Sequence, residues 1–163
     1  MPPEGLSATK GSLRSSVMAV VRLDHVSVVV DDLEAAVAFF VELGLTLEGE
    51  ASIEGDWVEA VTGLDDLRVE IALLRAPDGH GALELTKFHS PPAISAEPAV
   101  PPPQTFGLRS VMFAVDDVDD TVARLERLGG ALVGEIAQYQ DAYRLCYLRG
   151  PAGIIVALAE PLS

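Results

Sequence analysis

The sequence predicts an α+β fold built from two βαβββ modules. Three observations carry this. The chain contains one stretch twice: Asp24–Gly44 reads DHVSVVVDDLEAAVAFFVELG and Arg109–Gly129 reads RSVMFAVDDVDDTVARLERLG, at a gapless offset of 85 residues. Each copy passes from a β-branched run to an amphipathic helical pattern and then to further strand-like runs. Between the copies lies a Pro-rich stretch, Pro91–Pro103, unsuited to a helix or a central strand.

The elements follow in order. Leu23–Val30 and Leu108–Val115 read as the first strands. Val26, Val30, Asp31, Asp32, Val37, Ala38, Leu43 and Gly44 recur unchanged in the second copy. The pairs Asp31-Asp32 and Asp116-Asp117 resemble metal ligands by composition, but their place before a helical pattern suits capping of orphan N–H groups at the positive end of the dipole. The helices carry apolar residues at Leu33, Val37, Phe40, Leu43 and at Val118, Val122, Leu125, Leu128, the same stripe twice. Gly44 and Gly129 stand where a left-handed residue closes a helix. In the first module Leu45–Ala51, Leu67–Arg75 and Gly81–Phe88 read as strands, with a turn at Ala76–Gly79 and a short helix or loop over Glu54–Leu64. In the second, Ala131–Gln138, Ala142–Leu148 and Ile154–Ala159 read as strands, with a matching turn at Arg149–Gly153. The expected organisation is a loose tail over residues 1–20, with Met18 an alternative start, modules at 21–90 and 106–163, and a linker at 91–105, the two modules forming one domain.

The bulk numbers narrow the function. The chain of 163 residues has a formal charge of −14. Lys and Arg are sparse and scattered, so a nucleic-acid partner is not expected. No apolar run approaches a membrane span and no secretory pattern opens the chain, so no membrane partner and a cytoplasmic location are expected. Cys146 is the single cysteine, which excludes an intrachain disulfide and a Cys-rich zinc site; its apolar surroundings suit a buried, inert thiol.

The segments LDHVSVVVDDLEAAVAFF, GALELTKF, FAVDDVDDTVARLERLGG and RLCYLRGPAGIIVALAE resemble the vicinal-oxygen-chelate superfamily, whose members include glyoxalase I, methylmalonyl-CoA epimerase, extradiol dioxygenases and bleomycin-resistance proteins. The resemblance spans nearly all of Arg22–Leu162. It implies a curved mixed sheet around a cup and a small-molecule ligand or substrate, with reactions that range widely across one fold. In metal-using members each module gives one ligand from its first strand and one from its last. The matching positions here are His25 and Glu84 in module one and Ser110 and Ala157 in module two. Only the first two suit a divalent ion. The resemblance therefore implies half a metal site: no tightly held cofactor, and at most a weak zinc, nickel, manganese or iron ion. Glu160, three residues past Ala157, falls on the opposite strand face and does not replace it.

His25 and Glu84 are the catalytic and metal candidates. Taken alone, each is as readily a packing residue or a surface charge. On one cup they could hydrogen-bond and move a proton without metal. Ser27, Thr86, Ser110, Met112 and Ala157 are expected to line the ligand pocket, with Trp57 and Tyr143 as ring walls; Tyr139 and Tyr147 are further ring donors. His80 and His89 read as loop residues, His89 near the cup mouth. Three readings stay open: a small-molecule binding protein with a degenerate metal site; a lyase, isomerase or epimerase, or dioxygenase-type enzyme using His25 and Glu84 with or without metal; and a regulatory domain with a vestigial cup. Self-association as a homodimer is expected from open sheets with edges to cover.

Overall fold

The computed structural model describes residues 19–163; most of the expected tail, and Met18, lie outside them. Module one runs β1 (Val26–Val29), α1 (Leu33–Leu43), β2 (Thr46–Glu54), α2 (Asp56–Thr62), β3 (Arg68–Arg75) and β4 (Ala82–Ser90). Module two runs β5 (Ser110–Ala114), α3 (Val118–Glu126), β6 (Ala131–Leu132), β7 (Ala137–Tyr139), β8 (Tyr143–Arg149) and β9 (Ile155–Pro161). The sheet orders are β1-β4-β3-β2 and β5-β9-β8-β6, so each module places its last strand parallel beside its first, and β7 adds a further pairing to β8. The repeat in sequence is thus a repeat in topology, and the chain is α+β with two sheets.

Both acidic pairs act at helix starts. Asp32 accepts from the Ala35 N–H at 2.9 Å and Asp117 from the Asp120 N–H at 2.9 Å. Asp31 makes no cap. Asp32→Ala is therefore expected to lose about 1 kcal/mol in urea unfolding, whereas Asp31→Ala should stay within about 0.5 kcal/mol. Glu160 supplies a second bond to the start of α3, accepting from the Val118 N–H at 2.9 Å, on the helix face as strand alternation requires. Gly44, at φ 123°, closes α1.

Each sheet buries one face under its helix. Val28, Ala72, Leu74, Leu83 and Leu85 pack with α1, while Cys146, Leu148, Val156 and Leu158 pack with α3. Burial pushes the Cys146 thiol up. The two helices also meet, so the core is continuous across the modules. Phe39 and Phe40 are fully buried in an edge-to-face pair with centroids 5.2 Å apart. A Cβ at Gly150 would stand 3.2 Å from the Phe39 ring, which shows how closely module two approaches α1 there. The Arg124 guanidinium donates to the Glu42 carbonyl across the same joint.

Several boundaries differ from the sequence pattern. Leu23–His25 continue the apolar alternation but have no strand partner, so β1 begins at Val26. The run Ala131–Gln138 is broken into β6 and β7. The segment Glu54–Leu64 contains a true helix, α2, whose Val58 packs with Leu67 and Val69 on the sheet face opposite α1. His89 is not a loop residue. It lies within β4 on the register of Lys87 and pairs with Glu70, on the opposite face from Glu84.

Candidate functional site

The free face of module one is built by register. The parallel pairing of β1 with β4 sets Ser27 beside Glu84 and Val29 beside Thr86. Residues one step away on each strand are committed to the core under α1, so alternation leaves Ser27, Val29, Glu84 and Thr86 on the other side. His25, two residues before Ser27, joins them. Its Nε2 stands 3.5 Å from Glu84 Oε2. The second Glu84 oxygen accepts from the Ser27 hydroxyl at 3.2 Å and from the Thr86 hydroxyl at 3.4 Å.

The other side of the imidazole is held as well. His25 Nδ1 lies 2.8 Å from Asp24 Oδ2, and Arg22 donates to the other Asp24 oxygen at 2.8 Å. The hydrogen bond with His25, together with that from Arg22, holds the Asp24 carboxyl below its ordinary range. A carboxylate there fixes the proton on Nδ1. Neutral His25 then presents an Nε2 lone pair toward Glu84 and the cup; imidazolium presents an N–H. The arrangement can accept, hold or return one proton between nitrogen and carboxylate. It can also bind a polar group of a ligand through either member.

Module two presents a different face. Met112, Ala157 and Tyr147 form one row across β5, β9 and β8. Ser110 sits in the next row beside Ile155, and Tyr143 lies at the far end opposite Pro161. Met112, Tyr143 and Tyr147 are exposed and Ala157 is buried. Trp57 projects from α2 at the end of the module-one face and is largely exposed. The structure thus gathers His25, Ser27, Glu84 and Thr86 on one sheet, and Ser110, Met112 and Ala157 on the other. Among the described residues no hydrogen bond or ion pair joins these two faces, because the modules meet through α1 and α3 instead. Asp24 carries no sequence signal beyond its adjacency to His25.

The donor set does not fit a resident metal. The groups that converge are one imidazole nitrogen, one carboxylate and two neutral hydroxyls. Asp24 is turned to the far nitrogen of His25. Among the described residues no three His, Cys, Asp or Glu side chains gather in metal-binding geometry. Tight sites of this kind use at least three strong protein ligands.

Two βαβββ sheets of identical strand order, each with one free face bearing its first and last strands, define a vicinal-oxygen-chelate fold. The chain belongs to the glyoxalase/bleomycin resistance protein/dioxygenase superfamily, whose family model matches residues 22–158. It is similar to a glyoxalase family protein from Bacillus cereus, with 48% identity, a TM-score of 0.84, and coverage of 88% of this chain and 96% of that one. It is similar also to TnmS3, an antibiotic binding protein from Streptomyces sp. CB03234, at 27% identity and TM-score 0.56 over 89% of this chain and 99% of that one. Among curated proteins it resembles the uncharacterized protein YaeR of Escherichia coli (strain K12), 29% identical over 111 residues, covering 68% of this chain and 73% of YaeR.

Proposed function

We propose that this protein binds a small organic molecule in its cup, with His25 and Glu84 as the polar anchor and without a tightly held metal. The observation that carries this reading is the pair itself: His25 Nε2 and Glu84 Oε2 lie 3.5 Å apart on a sheet face that also offers Val29, Ser27 and Thr86. A mostly apolar wall with a few converging polar groups is the usual composition of a ligand site. The antibiotic-binding relative supports binding as the activity. The pair also favours a second reading, a metal-free lyase or isomerase, since an Asp24-oriented imidazole beside a carboxylate can relay a proton. In both readings the protein works as a cytoplasmic homodimer, with Trp57, Tyr143, Met112, Ser110 and Ala157 around the ligand.

Native mass spectrometry after incubation with a polar small-molecule extract of the source cells tests the reading. The wild-type protein should retain an organic mass, and His25→Ala/Glu84→Gln should lose it while keeping its fold. Equal retention by both proteins would show that the anchor lies elsewhere.

A further inference from the structure

We propose that the crevice between the two modules is a second binding site, separate from the cup, which holds an organic carboxylate with an apolar body between Arg109 and Arg149. The proposal does not depend on the reading of His25 and Glu84.

Three observations lead there. First, the Arg109 Nε is shielded from solvent and has no hydrogen-bond partner, the one such side-chain atom among the described residues. A shielded cationic donor is costly unless an acceptor meets it. Arg109 also stands outside the ion pairs that hold Arg22, Arg75, Arg124 and Arg144. Second, the arginine at the module-two turn is treated differently from its counterpart in module one. Arg75, the last residue of β3, is neutralised by Glu48 at 2.9 Å. Arg149, the last residue of β8, donates instead to two backbone carbonyls, of Pro101 at 2.6 Å and Gly153 at 2.8 Å. Its guanidinium ties the linker to the turn, and among the described residues its charge meets no carboxylate. Third, both arginines line one crevice of about 1000 Å³. To the same crevice α1 contributes Ala35, Ala36 and Phe39, and the linker contributes Ile94 and Val100.

The donors and the walls together define the ligand. An arginine fork aligns with a carboxylate through parallel N–H···O bonds, one of them from Nε. Such a pair gives the Arg109 Nε its acceptor, and Arg149 adds a second positive charge to the same wall. Asp31 and Asp32 line the crevice as well, with Asp32 committed to the start of α1. These aspartates belong to module one and the arginines to module two. Two carboxylates facing two guanidiniums leave little attraction for a doubly charged phosphate. A single carboxylate can sit on the module-two wall, with its apolar body along Ala35, Phe39, Ile94 and Val100. The class is therefore a monocarboxylate, such as a fatty or aromatic acid, and not a phosphate ester.

Octanoate is the probe, followed by proton–nitrogen NMR of the full chain, with the Arg109 Nε–H signal assigned by its loss in Arg109→Gln. Octanoate should shift that signal and the Ala35 and Phe39 amides saturably, and should raise the unfolding temperature. Octanol and inorganic phosphate at the same concentration should do neither. Nothing in the chain bonds the Arg109 Nε, so Arg109→Gln should fold without loss of stability. Read from the Ala35 and Phe39 amides, it should weaken octanoate binding by about tenfold or more. Arg109→Lys, which keeps the charge and loses the fork, should bind between the two, and it carries the comparison if Arg109→Gln fails to fold. The absence of a saturable shift in the wild type would overturn the proposal. So would undiminished binding by either variant, equal binding of octanol, which would make the crevice an apolar groove only, or tighter binding of phosphate. His25→Ala/Glu84→Gln should leave octanoate binding unchanged; its loss there would place octanoate in the cup and overturn the second site, whereas the loss of a cup ligand alone would leave the second site standing.

Discussion

Phe39→Ala should destabilise the protein by about 3–5 kcal/mol, measured by urea unfolding. Phe39 is fully buried and packs edge-to-face with Phe40. Its ring also lies against the Gly150 turn of module two, so truncation opens a cavity at the joint and not only under one sheet. The methylenes removed lose their transfer free energy, and the rigid strands around them collapse poorly into the gap. Because one apolar core spans both modules, the loss should appear in a single transition. A loss below about 1 kcal/mol would mean that α1 does not pin the modules together.

The double change Ser110→His with Ala157→Glu should raise zinc affinity by roughly two orders of magnitude or more, measured by competition with a chelating dye. It adds an imidazole and a carboxylate at the two positions where module two offers a hydroxyl and a methyl. Ala157 is buried between Met112 and Tyr147, so a carboxylate there is unfavourable until a cation pairs with it. Metal-free variant should therefore unfold more easily than wild type, and zinc should restore its stability. A folded variant that gains no affinity would show that the free faces of the two modules do not share one cup.

The repeat makes the architecture legible in the sequence. Identical residues at a fixed offset force equivalent strands and helices, and the Asp-Asp pairs marked both helix starts correctly because the capping requirement is local. What the sequence concealed was non-local. Leu23 alternates like a strand residue, but whether it pairs depends on a partner edge that no local pattern encodes. Trp57 and Val61 stay exposed, so α2 lacked a second apolar turn to announce it. His89 looked like a strand terminus because Pro91 follows so closely, yet β4 continues to Ser90 against β3. For the candidate site, alternation puts His25 on the strand face of Ser27, and register brings Glu84 beside it. How the two modules meet is set at the α1–α3 joint, whose Arg124–Glu42 contact has no signature in either helix alone.

The metal content of the protein purified without chelator tests the half-built site most directly. With one imidazole and one carboxylate converging, elemental analysis after dialysis should find zinc, nickel, manganese and iron each well below one equivalent per chain. Near-stoichiometric metal, lost on His25→Ala, would contradict this account and make the cup a metal centre.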